Sequence, residues 1–235
     1  MKKTIVVTGG SKGIGKAIAT RFGQEGFNIA ICARSAEGLA ECQAEIKSQF
    51  ADIEIFTQQV DVKKITELKA FAQAVIEKFQ CIDVLINNAG TYTPGDIHSE
   101  AEGVLEHLIE TNLYSAYHVT RAFLPTMIAQ KDGHIFNICS VASLIAYPNG
   151  GSYSISKFAL LGFSKCLREE MKDKGIKVTS IMPGATWSDS WSGAPFPEDR
   201  LMQSSDIGDI IWGAYNLSKI AVVEDLVIRP QLGDL

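Results

Sequence analysis

The sequence predicts a doubly wound α/β domain, a parallel sheet covered by helices on both faces. Three observations carry that expectation. Short apolar runs alternate with longer amphipathic ones along all 235 residues. No glycine- or proline-rich linker divides the chain, so residues 1–235 read as a single domain. The connections of unusual composition, at 9–15, 34–38, 87–96, 140–152 and 183–200, all follow predicted strands. In such a sheet these loops gather at the carboxyl ends, where ligands bind.

Taken in order, the first strand begins at Thr4 and runs through Ile5, Val6 and Val7 into a glycine-rich turn. A helix follows from Gly15 to about Phe22. Residues 27–33 form a second apolar run, and Leu39, Cys42 and Ile46 then share one helix face. Residues 53–60 read as a third strand. Ile65, Leu68, Ala72, Val75, Ile76 and Phe79 mark the next helix at three-four spacing. Val84, Leu85 and Ile86 make a fourth strand, and the spacing predicts one long helical region over 104–130. Residues 134–139 are a strand, 153–172 a helix, 178–182 a strand, 205–218 a short helix and 226–228 a last strand. Repeated strand-helix units of this kind close with right-handed crossovers.

With 46% hydrophobic and 21% charged residues, the chain supports a sizeable core. A formal charge of −5 without a basic run makes nucleic acid a poor partner. Five scattered cysteines, at 32, 42, 81, 139 and 166, include no C-x-x-C pair and fit a reducing cytoplasm. The strand starting at residue 4 leaves no room for a signal peptide, and no apolar run has membrane length. The four histidines show no metal-ligand grouping, so no metal is expected.

The first turn, Thr8-Gly9-Gly10-Ser11-Lys12-Gly13-Ile14-Gly15, has the chemistry of an anion cradle. Glycines let the backbone approach a bound group, and the following helix presents unsatisfied amide hydrogens. A dinucleotide pyrophosphate is the natural occupant, although the spacing departs from G-x-G-x-x-G. The second strand ends at Ala33-Arg34, without the acid that would hold the ribose hydroxyls of NAD. Lys12 and Arg34 are either solvated charges or a clamp for a 2′-phosphate; their places at the loop ends favour NADPH. Asp61, followed by Val62, reads both as a helix N-cap and as a polar contact to the adenine ring.

The catalytic signal lies in mid-chain. Ser140 follows the fifth strand, and Tyr153 and Lys157, four apart, share one helix face. An ammonium beside a tyrosine favours its phenolate, the tuning that acid–base work near neutral pH requires. Ser140 is then placed to hold the substrate oxygen.

Together these residues resemble a classical short-chain dehydrogenase/reductase over essentially the full length. The matching features are Thr8-Gly9-x-x-x-Gly13-x-Gly15, Asn87-Asn88-Ala89-Gly90, Asn112, Ser140, Tyr153-x-x-x-Lys157 and Pro183-Gly184. The resemblance implies a three-layer Rossmann fold with a seven-stranded parallel sheet in the order 3-2-1-4-5-6-7. It implies Tyr153 as general acid, Lys157 on the nicotinamide ribose, Ser140 orienting the carbonyl, and Asn112 holding a water that relays protons from Lys157. Asn88, Ala89 and Gly90 would line the cofactor site, and Thr186 would meet the nicotinamide amide beyond Pro183-Gly184. The activity implied is NADPH-dependent reduction of a ketone or aldehyde, with sepiapterin-type and 3-oxoacyl-carrier-protein reductases nearest in type. A nucleotide-binding regulator is the competing class, and the intact Asn112-Ser140-Tyr153-Lys157 set counts against it.

The substrate wall is expected from 140–147, Gly151 and a loop over about 186–203. Trp187, Trp191 and Phe196, between Pro195 and Pro197, either stack on a flat substrate or form the underside of a lid. Leu113, Ala116, Phe123, Phe158, Leu161 and Phe163 suggest a second apolar face over 104–130 and 152–173. The resemblance then implies a homotetramer, with a homodimer as the alternative.

Overall fold

A computed structural model describes residues 2–188 and 200–234. Seven strands form one parallel sheet in the order β3-β2-β1-β4-β5-β6-β7, as the resemblance implied. They are β1 Thr4–Thr8, β2 Asn28–Ala33, β3 Ile55–Gln59, β4 Val84–Asn87, β5 Gly133–Ile138, β6 Ile176–Pro183 and β7 Asp225–Ile228. The order reverses between β1 and β4, each paired in parallel with the other, and the carboxyl ends at such a reversal are where doubly wound sheets bind ligands.

Side chains alternate across the sheet and fill two cores. Ile5, Val7, Ile29, Ile31, Val84 and Ile86 pack beneath α1 (Gly13–Gln24), α2 (Ala36–Gln49) and α7 (Ser204–Tyr215). Val6, Ala30, Cys32, Leu85 and Ile135 face α3 (Ile65–Phe79) and the two long later helices, Ser115–Gln130 and Gly151–Met171. Burial of strands on both faces explains why they read as continuous apolar runs. The two faces fix register strongly, since a slip of one residue would exchange the cores.

The expected single helical region over 104–130 is interrupted. It consists of α4 (Val104–Ile109), a π-helical turn (Glu110–Tyr114) and α5 (Ser115–Gln130). The wide turn carries Asn112, whose amide is bonded to the backbone of Thr91 outside the helix. Periodicity in the flanking helices is too regular to reveal one inserted residue. Helix α6 spans Gly151–Met171, so Tyr153 and Lys157 lie in its first two turns. Of the residues expected to form a second apolar face, Ala116 and Phe123 are buried inside the protomer. Phe158, also expected there, is exposed, and Leu105, Tyr114, Tyr117 and Ile155 are exposed beside it on these helices.

Candidate active site

The β1–α1 turn is built around positive-φ glycines. Gly9 has φ +64° and Gly13 φ +53°, in the left-handed region that other residues enter only with strain. Gly15 is constrained by space: a Cβ there would lie 2.5 Å from Asn88 Nδ2 and from the Gly9 carbonyl oxygen. The same Asn88 amide donates to the Thr8 and Gly9 carbonyl oxygens at 3.0 Å each. Thr8 Oγ1 in turn accepts from the amides of Asn88 and Ala89, both at 3.1 Å. The ends of β1 and β4 are thereby clamped together at the reversal. Helix α1 has no side chain capping its N-terminus and no acid in its first turn. Its amide hydrogens suit a pyrophosphate, so the cradle fits a dinucleotide. Ser11 and Ile14 belong to the same turn, where Ile14 packs on the core below.

At the ends of β1 and β2, Lys12 and Arg34 are exposed. Arg34 borders a hollow of about 420 Å³ with Gln59, Asp61, Lys64 and Glu67. The N-cap reading of Asp61 is corrected: Lys64 occupies that position before α3. Asp61 Oδ1 instead accepts from the Lys63 amide at 3.1 Å, a local turn that keeps the carboxylate at the rim of the hollow. The Val62 side chain is turned into the core.

The catalytic candidates converge at the ends of β4 and β5. Lys157 is only 6% exposed, and its ammonium donates to the Ile138 carbonyl oxygen at 2.9 Å. It lies 5.8 Å from the centre of the Tyr153 ring. An ammonium has three donors, so capacity remains for ribose hydroxyls. A Cβ on Gly90 would come within 3.6 Å of Lys157 Nζ and 3.2 Å of Asn112 Oδ1, which puts all three at one spot. Ser140 Oγ accepts from the Ala142 amide at 3.1 Å, which leaves its own hydrogen for a substrate oxygen. Asn112 is buried and bonds Thr91 N at 2.8 Å, Thr91 O at 3.0 Å and Ser156 Oγ at 2.9 Å. It joins the loop after β4 to α6. On the far side, Thr186 is buried beyond Pro183 and Gly184, its hydroxyl donating to the Gly184 carbonyl oxygen at 3.0 Å.

Sequence reasoning missed several supports of this site. Asn87 donates to Thr120 Oγ1 at 2.8 Å and to Asn137 Oδ1 at 2.7 Å, and Asn137 reaches Ser164 Oγ on α6 at 2.7 Å. This buried polar chain ties β4 and β5 to the catalytic helix. Glu100 accepts from the Ser152 amide at 2.9 Å and also from the Ser152 hydroxyl, so it caps α6 from outside. Asp234 Oδ1 accepts from Ala185 N at 3.1 Å while Oδ2 binds Arg229 Nε at 2.7 Å, which folds the chain's last described residues onto the turn before Thr186. A polar residue within an apolar strand was the available signal for Asn87 and Asn137; nothing local marked Glu100 or Asp234.

Other chemistry is poorly placed. Burial pushes the Cys32 thiol up to about 12 and those of Cys42 and Cys139 up to about 11, so none of the three supplies a thiolate near neutral pH. No group of metal-ligating side chains occurs among the described residues. Trp187 is half-buried near the site, while Trp191, Pro195, Phe196 and Pro197 lie outside the described residues.

Comparison with known proteins agrees with this geometry. Residues 3–195 match the family described as short chain dehydrogenase. A sepiapterin reductase of Chlorobaculum tepidum is 28% identical over 243 residues, covering 100% of this chain and 99% of that protein. A 3-oxoacyl-[acyl-carrier-protein] reductase of Staphylococcus aureus is 33% identical over 190 residues, 80% of this chain and 76% of its own. An alcohol dehydrogenase from the archaeon Thermococcus sibiricus, solved with 5-hydroxy-NADP, superposes with a TM-score of 0.92 at 27% identity, covering 98% and 97% of the two chains. A metagenomic short-chain oxidoreductase in complex with NADP gives 0.85 at 31% identity, with 97% of each chain covered.

Proposed function

The chain belongs to the short-chain dehydrogenase family, and from that premise we propose how its own residues run the reaction. It is an NADP(H)-dependent oxidoreductase acting on carbonyl and alcohol groups. Bound NADPH supplies a hydride for the substrate carbonyl carbon. Gly9, Gly13 and Gly15 with the N-terminus of α1 hold the pyrophosphate, and Lys12 and Arg34 hold the 2′-phosphate. Asn88, Ala89, Gly90, Pro183, Gly184 and Thr186 line the nicotinamide half.

Ser140 donates its hydroxyl hydrogen to the carbonyl oxygen and aligns it with Tyr153. As negative charge grows on that oxygen, Tyr153 transfers its proton there. Lys157 binds the ribose hydroxyls and stabilises the phenolate left behind. Asn112 Oδ1 has a second lone pair beyond its Thr91 bond, which suits the water that returns a proton through Lys157. The observation that carries this reading is the buried Lys157 ammonium beside Tyr153, fixed by the Ile138 carbonyl and facing Gly90. The test is turnover of a panel of diketones, a sepiapterin-like pterin and an acetoacetyl thioester with NADPH and with NADH. Tight NADPH binding without turnover on any of them would favour the regulator reading instead.

We further infer a cytoplasmic homotetramer, supported by five unpaired cysteines and by exposed apolar side chains on α4, the π turn, α5 and α6. Among the described residues no helix is long and apolar enough to cross a membrane. Sedimentation as a stable monomer at micromolar concentration would overturn the assembly.

A further inference from the structure

Two tyrosines outside the motif stand on the open side of the site. Tyr92 lies on the loop after β4 and Tyr147 on the loop after β5, 40% and 38% exposed. The Tyr92 ring meets Tyr153 edge-on, with centroids 4.9 Å apart and planes at 84°. The Tyr147 ring stands over the start of α6, where a Cβ on Gly150 would come within 3.0 Å of its Cζ. We propose that this hydroxyl pair is a second polar anchor for the substrate, selecting carbonyl compounds that carry another uncharged oxygen beside the reacting one, as diketones do.

Hydrogen-bond accounting supports one acceptor. Each hydroxyl brings one O–H hydrogen, and the two lone pairs of a single ketone or ester oxygen can accept both. Burial, and then the nearby Tyr153 oxygen, hold both phenols above the ordinary tyrosine value, so each remains a neutral donor. Neutral donors suit a ketone or ester oxygen; a carboxylate or phosphate would call for a cation. Asp234, whose charge also reaches Tyr147, further disfavours an anionic group there.

The pair is also rigidly presented. Gly95 N donates to the Asn149 carbonyl oxygen at 3.1 Å, and Asn149 N donates to Asp96 Oδ1 at 2.9 Å. With the Glu100–Ser152 bonds, these latch the two tyrosine-bearing loops together, so little ordering is left for substrate to impose.

The proposal rests on the carbonyl-reductase reading, and its test separates the two. Diacetyl and acetylacetone are compared with butanone and pentanone for wild type, Tyr92→Phe, Tyr147→Phe and the double variant. Each single change should lower kcat/KM on the diketones roughly tenfold, the value of one hydrogen bond, and leave the monoketones within about twofold. The double variant should lose less than the product of the singles, because the hydroxyls act as a unit. Equal losses on both substrate types, or none on either, would overturn the anchor. Monoketone turnover that disappears in Tyr153→Phe would still uphold the underlying reaction, whereas no wild-type turnover of any ketone would remove both.

Discussion

The Lys157 ammonium lies 5.8 Å from the centre of the Tyr153 ring, one turn away along α6. The strand-end carbonyl of Ile138 holds it there, so helix and sheet jointly fix the pair. Tyr153→Phe keeps the ring and its edge contact with Tyr92 but removes the transferable proton. Turnover of the best carbonyl substrate should fall by roughly 10²- to 10⁴-fold with NADPH affinity little changed, read by steady-state kinetics and fluorescence titration. Near wild-type rates from folded variant would sink the mechanism.

Lys157→Ala and Ser140→Ala should separate cofactor from substrate. Removing the ammonium strips a ribose ligand and the charge beside Tyr153, so both NADPH affinity and kcat should drop. Removing the Ser140 hydroxyl should lower kcat/KM on the order of 10²-fold and spare NADPH binding, since that group faces the substrate oxygen. Binding isotherms beside kinetics decide; a large loss of NADPH affinity in Ser140→Ala would contradict the assignment.

Arg34 borders the hollow at the end of β2, the proposed seat of the 2′-phosphate that distinguishes the two nicotinamide cofactors. Arg34→Ala should raise the KM for NADPH about 10- to 100-fold and leave NADH kinetics nearly untouched. Its exposure keeps the expected effect modest. Equal losses with both cofactors would make Arg34 structural.

The strands and helices, the glycine turn and the shared helix face of Tyr153 and Lys157 were legible because each is local in sequence, whereas the sheet order came only from the resemblance. Strands buried on both faces read as apolar runs, and Tyr153 and Lys157 share a helix face by spacing alone. What stayed hidden depends on contacts between distant segments. Asn112 bonds Thr91, 21 residues away, and Glu100 caps a helix 52 residues on. No periodicity records such pairs. Asp61 illustrates the opposite error, since a common capping residue before a helix was read as the cap while Lys64 held that place.

Glu100 is expected to act through α6 without touching substrate. Its carboxylate meets the amide and hydroxyl of Ser152, next to Tyr153, where a helix N-terminus favours negative charge. Glu100→Ala should lower kcat several-fold with both cofactors and lower the unfolding free energy by about 1 kcal/mol. Glu100→Gln keeps an acceptor and should recover most of the rate. If Gln is as impaired as Ala at equal stability, capping geometry is not what the reaction uses.

The last prediction concerns acid. His134 is buried against Phe136, ring centroids 3.9 Å apart, with Nε2 2.7 Å from Thr179 Oγ1. Thr179 donates its own hydrogen to the Val223 carbonyl oxygen at 2.5 Å, so Nε2 must be the donor to Thr179, and Nδ1 is buried without a partner that a second proton could reach. Burial, with Lys177 nearby, lowers the His134 pKa from its ordinary value of 6.5 to about 3. Between those values the unfolded chain binds a proton that the folded chain refuses, and stability therefore falls as pH falls below about 6.5. One such histidine costs about 1.4 kcal/mol per pH unit, so wild type should lose about 2 kcal/mol between pH 6.5 and 5 from this residue. Urea unfolding of wild type and His134→Gln across that range isolates it, because the carboxylates titrate alike in both. The variant, less stable near neutrality, should show the flatter profile, and parallel profiles would mean that His134 takes up its proton in the folded protein.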